Sequence, residues 1–256
     1  MTAGITHNAL ILEYDGTNYS GSQLQAKEPT IQAEIEKALL KLTGEKIRIK
    51  AASRTDAGVH ALGQVVSFKT ESRLKLKNFT DGLNHYLPED IAVKAAYRID
   101  DGFDVRRRAV SREYQYLLIN SWSRSPLRRY YTYQVQGELD VAVMNKACEM
   151  ITGEHDLISF ASALEPHVKR TIRKVYQASV RRLKEMVIFD IKASSFLPHQ
   201  VRNTVGALLR IGQGKMTLNE FNSIIEARKA GTAGPTVPAC GLYLVRVNYL
   251  KPLETE

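Results

Sequence analysis

The sequence predicts an α+β fold made of two similar halves, each running strand, helix, strand, strand, helix, strand. Three observations lead there. Apolar residues recur at two-residue spacing in short runs and at three- and four-residue spacing in longer ones. The same order of such segments occurs twice within 256 residues. No apolar run reaches the roughly 18 residues that a membrane span needs. At this size a chain can bury about 70–75% of its extended surface, so a core forms without metal or disulfide staples.

In the first half, residues 8–14 (NALILEY) make a short apolar run suited to a strand, followed by a loop over 16–22 rich in Gly, Asn and Ser. Ile31, Ile35, Ala38, Leu39 and Leu42 then recur at helical spacing. Thr30 is a suitable N-cap and Gly44 stands where that helix should stop. Residues 46–52 and 63–69 alternate as strands around a Gly-containing loop, 76–87 are helical in pattern, and 91–98 read as the closing strand.

The second half repeats the order: strand 112–119, helix 139–152, strands 172–183 and 186–193, helix 200–211, and a terminal strand 242–249. Lys184-Glu185 is short enough to join its two long strands as a hairpin. Thr217 and Glu220 have capping-box spacing, which predicts an extra short helix over 218–228. Residues 120–138 hold Trp122, Pro126 and three arginines without periodicity and read as a linker or basic surface loop. The halves divide as residues 1–105 and 106–256, an arrangement that suggests internal duplication.

Charge is unevenly spread. Of 36 basic and 27 acidic residues, residues 1–105 carry 13 and 14, and residues 106–256 carry 23 and 13. A second half at +10 points to a polyanionic partner, because Lys and Arg bind phosphates by releasing condensed counterions. A merely basic soluble protein is the plainer alternative. Cys148 and Cys240 have no zinc-ligand spacing and read as small core residues in a reducing compartment. The N-terminus shows no signal-peptide pattern, so the expected location is the cytoplasm.

Common nucleotide, zinc and hydrolase signatures are absent. The six histidines are scattered singly, as structural histidines usually are. One segment stands out: Ser53-Arg54-Thr55-Asp56-Ala57-Gly58-Val59-His60, in a loop leaving a strand. A carboxylate two residues from a guanidinium is favoured in its ionised form, which suits a nucleophile or electrostatic stabiliser. Ala57 and Gly58 would let a substrate approach the backbone closely. The alternative is an Asx-turn in which Asp56 only caps the amides that follow.

Residues 53–64 (SRTDAGVHALGQ) closely resemble the signature of the tRNA pseudouridine synthase A family. Further blocks occur in that family's order: Tyr14-Asp15-Gly16-Thr17 with Gly21 and Gln23, Arg112 to Tyr116, residues 196–214, and Pro238 to Tyr249. The resemblance implies two ferredoxin-like halves forming a joined antiparallel sheet with helices on one side and a central active-site cleft. It implies a cofactor-free, metal-free isomerase that converts uridines 38, 39 and 40 of the tRNA anticodon stem-loop to pseudouridine. It also implies a homodimer.

By the same resemblance Asp56 matches the essential aspartate, which either attacks C1′ of the ribose or assists departure of uracil. Tyr114 matches an active-site tyrosine able to stack on the flipped base and take the C5 proton; alternation along its strand equally permits a core aromatic. Arg202 matches the ionic partner of the aspartate, and otherwise is a surface arginine flanking an apolar stripe. Leu242 matches an apolar residue packing the target base, and otherwise starts the core of the last strand. Arg54 matches an arginine that helps displace the base from its stack. The basic groups Arg106-Arg107-Arg108, Arg128-Arg129, Lys169-Arg170, Arg173-Lys174 and Arg181-Arg182 would track phosphates or form solvated surface faces.

Three departures from the family pattern bear on substrate contacts and packing: Ser22 in place of tryptophan, Arg107 in place of phenylalanine, and Leu157 after His155-Asp156. Two rival readings are a catalytically silent RNA-binding protein and a carboxylate-dependent glycoside hydrolase. The second normally needs two placed carboxylates, and only Asp56 stands out.

Overall fold

The computed structural model describes residues 4–162 and 170–253. Its elements, in chain order, are β1 (Thr6–Tyr14), α1 (Ile31–Thr43), β2 (Lys50–Ala51), β3 (His60–Thr70), α2 (Leu76–Tyr86), β4 (Ile91–Arg98), β5 (Ala109–Asn120), β6 (Tyr133–Val135), α3 (Val141–Ile151), β7 (Gly153–Asp156), β8 (Ile172–Leu183), β9 (Met186–Ala193), α4 (Gln200–Gly212), α5 (Leu218–Ala227) and β10 (Leu242–Tyr249). The fold is α+β. The chain divides into two compact units, one running to Val110 and resuming at Leu244, the other spanning Ser111–Tyr243.

In the first unit, strand order is β4-β1-β3, with antiparallel registers such as Leu10↔Val66 and Leu10↔Ala96. The other edge of β3 is shared. β2 pairs antiparallel with Val66 and Ser67, and β10 lies alongside near Gly63, where an added Cβ would fall 2.5 Å from the Val245 carbonyl oxygen. The strand expected over 46–52 is therefore reduced to Lys50–Ala51. The cause is local: Glu36 of α1 accepts the Ile49 amide at 3.1 Å and ion-pairs with Arg48 at 3.2 Å, so the ladder stops there.

Thr30 caps α1 by accepting the Ala33 amide, and Gly44, at φ 77, lets its amide return to the Leu40 carbonyl. α1 and α2 pack closely, since a Cβ at Gly82 would meet Leu42 at 2.6 Å. Ile35 and Leu39 from α1, Phe79 and Leu83 from α2, and Leu10, Leu12 and Phe68 from the sheet are fully buried. Phe68 and Phe79 meet edge to face at 5.4 Å.

The second unit has strand order β5-β9-β8-β7, antiparallel between neighbours β5-β9, β9-β8 and β8-β7. The 172–183 and 186–193 strands form the expected hairpin, with Leu183 opposite Met186 and Lys184 left-handed at φ 55. The capping box of α5 is present in full. Within 120–138, where the sequence suggested a linker or loop, the chain makes a one-turn helix at Pro126–Arg128 and then β6, which pairs parallel with β5. This departs from an all-antiparallel sheet because the long excursion brings the chain back in the direction of β5; Asn120 secures the return by donating to the Val135 and Gly137 carbonyls.

Each unit uses a helix asparagine to complete a strand's hydrogen bonds. Asn84 of α2 bonds both backbone groups of Val93, and Asn145 of α3 bonds both of Val180. α4 is the most buried helix: Gly206 sits against the Pro235 carbonyl and Gly212 against Met144, each too close for a Cβ. Among the described residues, no helix is long and apolar enough to cross a membrane.

Candidate active site

The loop carrying Asp56 leaves β2 at Ala51 and enters β3 at His60, and it is tied down on both sides of the carboxylate. Gln64 holds its start, accepting the Ser53 amide at 3.3 Å and donating to the Ser53 carbonyl at 2.7 Å. Ser22 clasps Thr55. The Thr55 amide donates to Ser22 Oγ at 2.8 Å and the Ser22 amide donates to the Thr55 carbonyl at 3.0 Å. The Thr55 hydroxyl shares a 2.8 Å hydrogen bond with the Tyr14 hydroxyl.

Beyond Asp56, the Val59 amide closes a turn onto the Asp56 carbonyl at 3.2 Å, and the Gly58 amide donates to the Tyr19 carbonyl. Two glycines allow the flanking loop to lie this close. A Cβ at Gly16 would fall 2.0 Å from the Val59 carbonyl oxygen; Gly21, at φ +105, would place one 3.0 Å from the Thr55 carbonyl oxygen. The Gly16 amide donates to Nδ1 of buried His60. Thr55 and Val59 are buried, Asp56 is half-buried and Arg54 is exposed, so a short rigid turn presents one carboxylate and one guanidinium.

Tyr114, Arg202 and Leu242 belong to the second unit. Tyr114 lies on β5, buried, with its ring edge-on to Phe196 at 5.0 Å. Phe196 was not singled out from sequence; its only signal is its place at the head of the 196–214 block. Arg202 occupies the first turn of α4, which starts from His199 in the left-handed region at φ 58, its ring held by Ser162 at 2.7 Å. Nε of Arg202 donates to the Val237 carbonyl at 2.8 Å.

Two residues beyond Tyr114, Tyr116 is fully buried and donates to the Pro238 carbonyl at 2.6 Å. Burial pushes its hydroxyl far above the ordinary tyrosine value, nearby Cys240 adds to this, and the charge of Arg202 opposes it. Tyr116 is thus a neutral donor that fixes the segment leading to Leu242, which is itself buried at the start of β10. Strand alternation left Tyr114 and Tyr116 equivalent; their different surroundings now separate them.

The basic groups sort unevenly. Arg181 pairs with Asp190 at 2.9 Å, and Arg182 donates to Asn120 and to the Leu139 carbonyl, so both are engaged by their own fold. Arg106, Arg107, Arg108, Arg128 and Arg129 are exposed. Lys169 lies outside the described residues. Among the described residues, no group of three or more His, Cys, Asp or Glu side chains is placed to hold a metal ion.

The family model described as tRNA pseudouridine synthase matches residues 10–106 and 147–250. The chain belongs to the tRNA pseudouridine synthase family. Relatives bearing the name tRNA pseudouridine synthase A include one from Acetivibrio thermocellus, 44% identical over 94% of this chain and 98% of its own length. Others come from Geotalea uraniireducens at 41% and Caldicellulosiruptor bescii at 42%, each over the same shares of both chains. Among solved structures, a chain of a Cbf5-Nop10-Gar1 complex is 14% identical, with a TM-score of 0.36 over 82% of this chain and 46% of that one. The family match covers the Asp56 loop, Arg202 and Leu242. Tyr114 falls between its two stretches.

Proposed function

We propose that this chain is a cofactor-free isomerase that converts uridines 38, 39 and 40 of the tRNA anticodon stem-loop to pseudouridine. The observation that carries the reading is the Asp56 turn: a half-buried carboxylate on a backbone clamped by Ser22, Tyr14 and Gln64, in a chain of this family. A fixed carboxylate meets what the reaction demands. The N1–C1′ bond breaks, C1′ rejoins uracil at C5, the C5 hydrogen leaves as a proton and N1 gains one. Ionised Asp56 next to the sugar serves either by attacking C1′ or by stabilising the positive charge that develops as uracil departs.

The remaining parts are those that the family resemblance implies. Tyr114 stacks on the displaced base and its hydroxyl receives the C5 proton. Arg202 supplies a counter-charge that orients the carboxylate, Leu242 packs the base, and Arg54 favours its displacement from the helical stack. The exposed arginines of the basic half follow the phosphates of the anticodon arm. The protein works as a homodimer in the cytoplasm.

The test is tritium release from tRNA labelled at uridine C5, since C5 loses its hydrogen when it becomes the glycosidic carbon. The intact protein should release tritium at positions 38 to 40, and Asp56→Asn should bind tRNA and release none. Tight binding with no release by the intact protein would instead identify a silent RNA-binding protein.

A further inference from the structure

The segment between β5 and β6 spends apolar surface on solvent while being held in one shape. Trp122 is 76% exposed and Leu127 90% exposed, and Tyr130 and Tyr131 are 47% and 42% exposed. Exposed arginines at 124, 128 and 129 stand among them, the Arg129 guanidinium lying 4.2 Å from the centre of the Tyr130 ring. No acidic residue occurs anywhere from Tyr114 to Gly137.

The loop is not slack. The Trp122 carbonyl accepts from Gln134 and from Gln136, the Tyr131 amide and the Thr132 hydroxyl donate to the Arg128 carbonyl, and Tyr243 donates to the Tyr131 carbonyl at 2.8 Å. Such a surface has no part in the core of its own unit. It also lies between the two stretches that the family model matches.

We infer that residues 121–131 form a stacking platform for unpaired nucleotides of RNA, with Trp122 as its principal aromatic face. Charge decides the occupant. A second copy docking here about a two-fold axis would set three arginines and no acid against the same three arginines, a like-charge contact. An RNA loop complements the surface, with phosphates for Arg124, Arg128 and Arg129 and a base face for Trp122. Preorganisation by the Gln134, Gln136 and Thr132 bonds lowers the ordering cost of binding. The inference rests on RNA being the substrate of this chain, and it assigns base contact to a segment that charge alone would give only to phosphates.

Trp122 is the single tryptophan of the protein, so its emission reports on this loop alone. The full chain is titrated with an unmodified tRNA transcript while emission is recorded, and binding is measured separately by filter retention. Saturable quenching that tracks retention is expected. Trp122→Ala should weaken retention roughly tenfold, and Trp122→Phe, which keeps a ring, should recover most of the loss. Because the side chain is exposed, both variants should melt with the intact protein.

Retention unchanged in Trp122→Ala, or binding without any change in emission, overturns the inference. So does emission that changes with protein concentration in the absence of RNA, which would make the loop a contact between copies. Quenching and retention from a protein that releases no C5 tritium would sink the isomerase reading and leave the platform standing.

Discussion

Replacing Ser22 with alanine should destabilise the protein by about 1–3 kcal/mol, the cost of leaving a buried donor without its acceptor. The structure supplies the terms. Ser22 and Thr55 are both buried, at 6% and 7% exposure, and the Thr55 amide donates to Ser22 Oγ at 2.8 Å. Alanine removes that acceptor and puts nothing in its place, while the main-chain bond from Ser22 to the Thr55 carbonyl survives. The hydroxyl's longer 3.4 Å bond to the same carbonyl is lost as well, but that carbonyl keeps its main-chain donor, so the unsatisfied group is the Thr55 amide, next to the residue that carries the carboxylate.

For a chain of this size each kcal/mol lowers the melting temperature by roughly 2–4 °C, so the shift is within reach of calorimetry. Tyr14→Phe, which removes a hydrogen bond to the Thr55 hydroxyl, provides the second arm of a double-mutant cycle. Because both substitutions act on Thr55, their effects should couple by at least about 0.5 kcal/mol. A Ser22→Ala loss below about 0.3 kcal/mol, or strict additivity with Tyr14→Phe, would refute the claim that Ser22 clasps the loop.

Three further outcomes are expected. Gly16→Ala drives a methyl to 2.0 Å from the Val59 carbonyl oxygen and should cost about 1–3 kcal/mol in denaturant unfolding; an unchanged midpoint would contradict that packing. Asn8 is wholly buried with neither amide atom partnered, so Asn8→Leu should raise stability by about 1–3 kcal/mol, and a drop on calorimetry would mean the amide is satisfied. The Arg107 amide chiefly, with that of Arg106, holds the Asp104 carboxyl below its ordinary 3.8. This group's contribution is present above 3.8 and lost as pH falls through its lower folded value, so Asp104→Asn should flatten that part of the acid-unfolding curve, and an unaltered acid limb would remove the role.

Long elements were legible in the sequence because their signals repeat. The apolar positions of α1 appear four times over, Thr30 and Gly44 mark its ends, and Thr217 with Glu220 announces α5. Short ones were not. β6 has three residues and β7 four, too few for a period of two to show, and each exists because a neighbouring strand supplies the partner. β2 failed the other way: its alternation was real, but Glu36 took the Ile49 amide.

For the candidate site, the loop carrying Asp56 was readable from the sequence as a loop leaving a strand and its supports were not. Ser22 read as a departure from family tryptophan, whereas in the fold its hydroxyl does what an indole, a donor with no acceptor, could not do for the Thr55 amide. Tyr116 and Phe196 gave no signal beyond their places in the Arg112 to Tyr116 and 196–214 blocks, because their parts depend on what lies across from them, and a one-dimensional pattern holds no such information.

The edge of β3 near Gly63 is covered by residues around Val245, roughly 180 positions further along the chain. A ribosome thus releases the first unit with an open strand edge and must make all of the second unit before the covering strand emerges. During that interval the nascent sheet is exposed to pairing with other chains. No single cut separates the two units, because the first is encoded in two pieces. Joining residues 244–253 directly behind residue 110 by a flexible linker is the dissection that respects how the units are threaded.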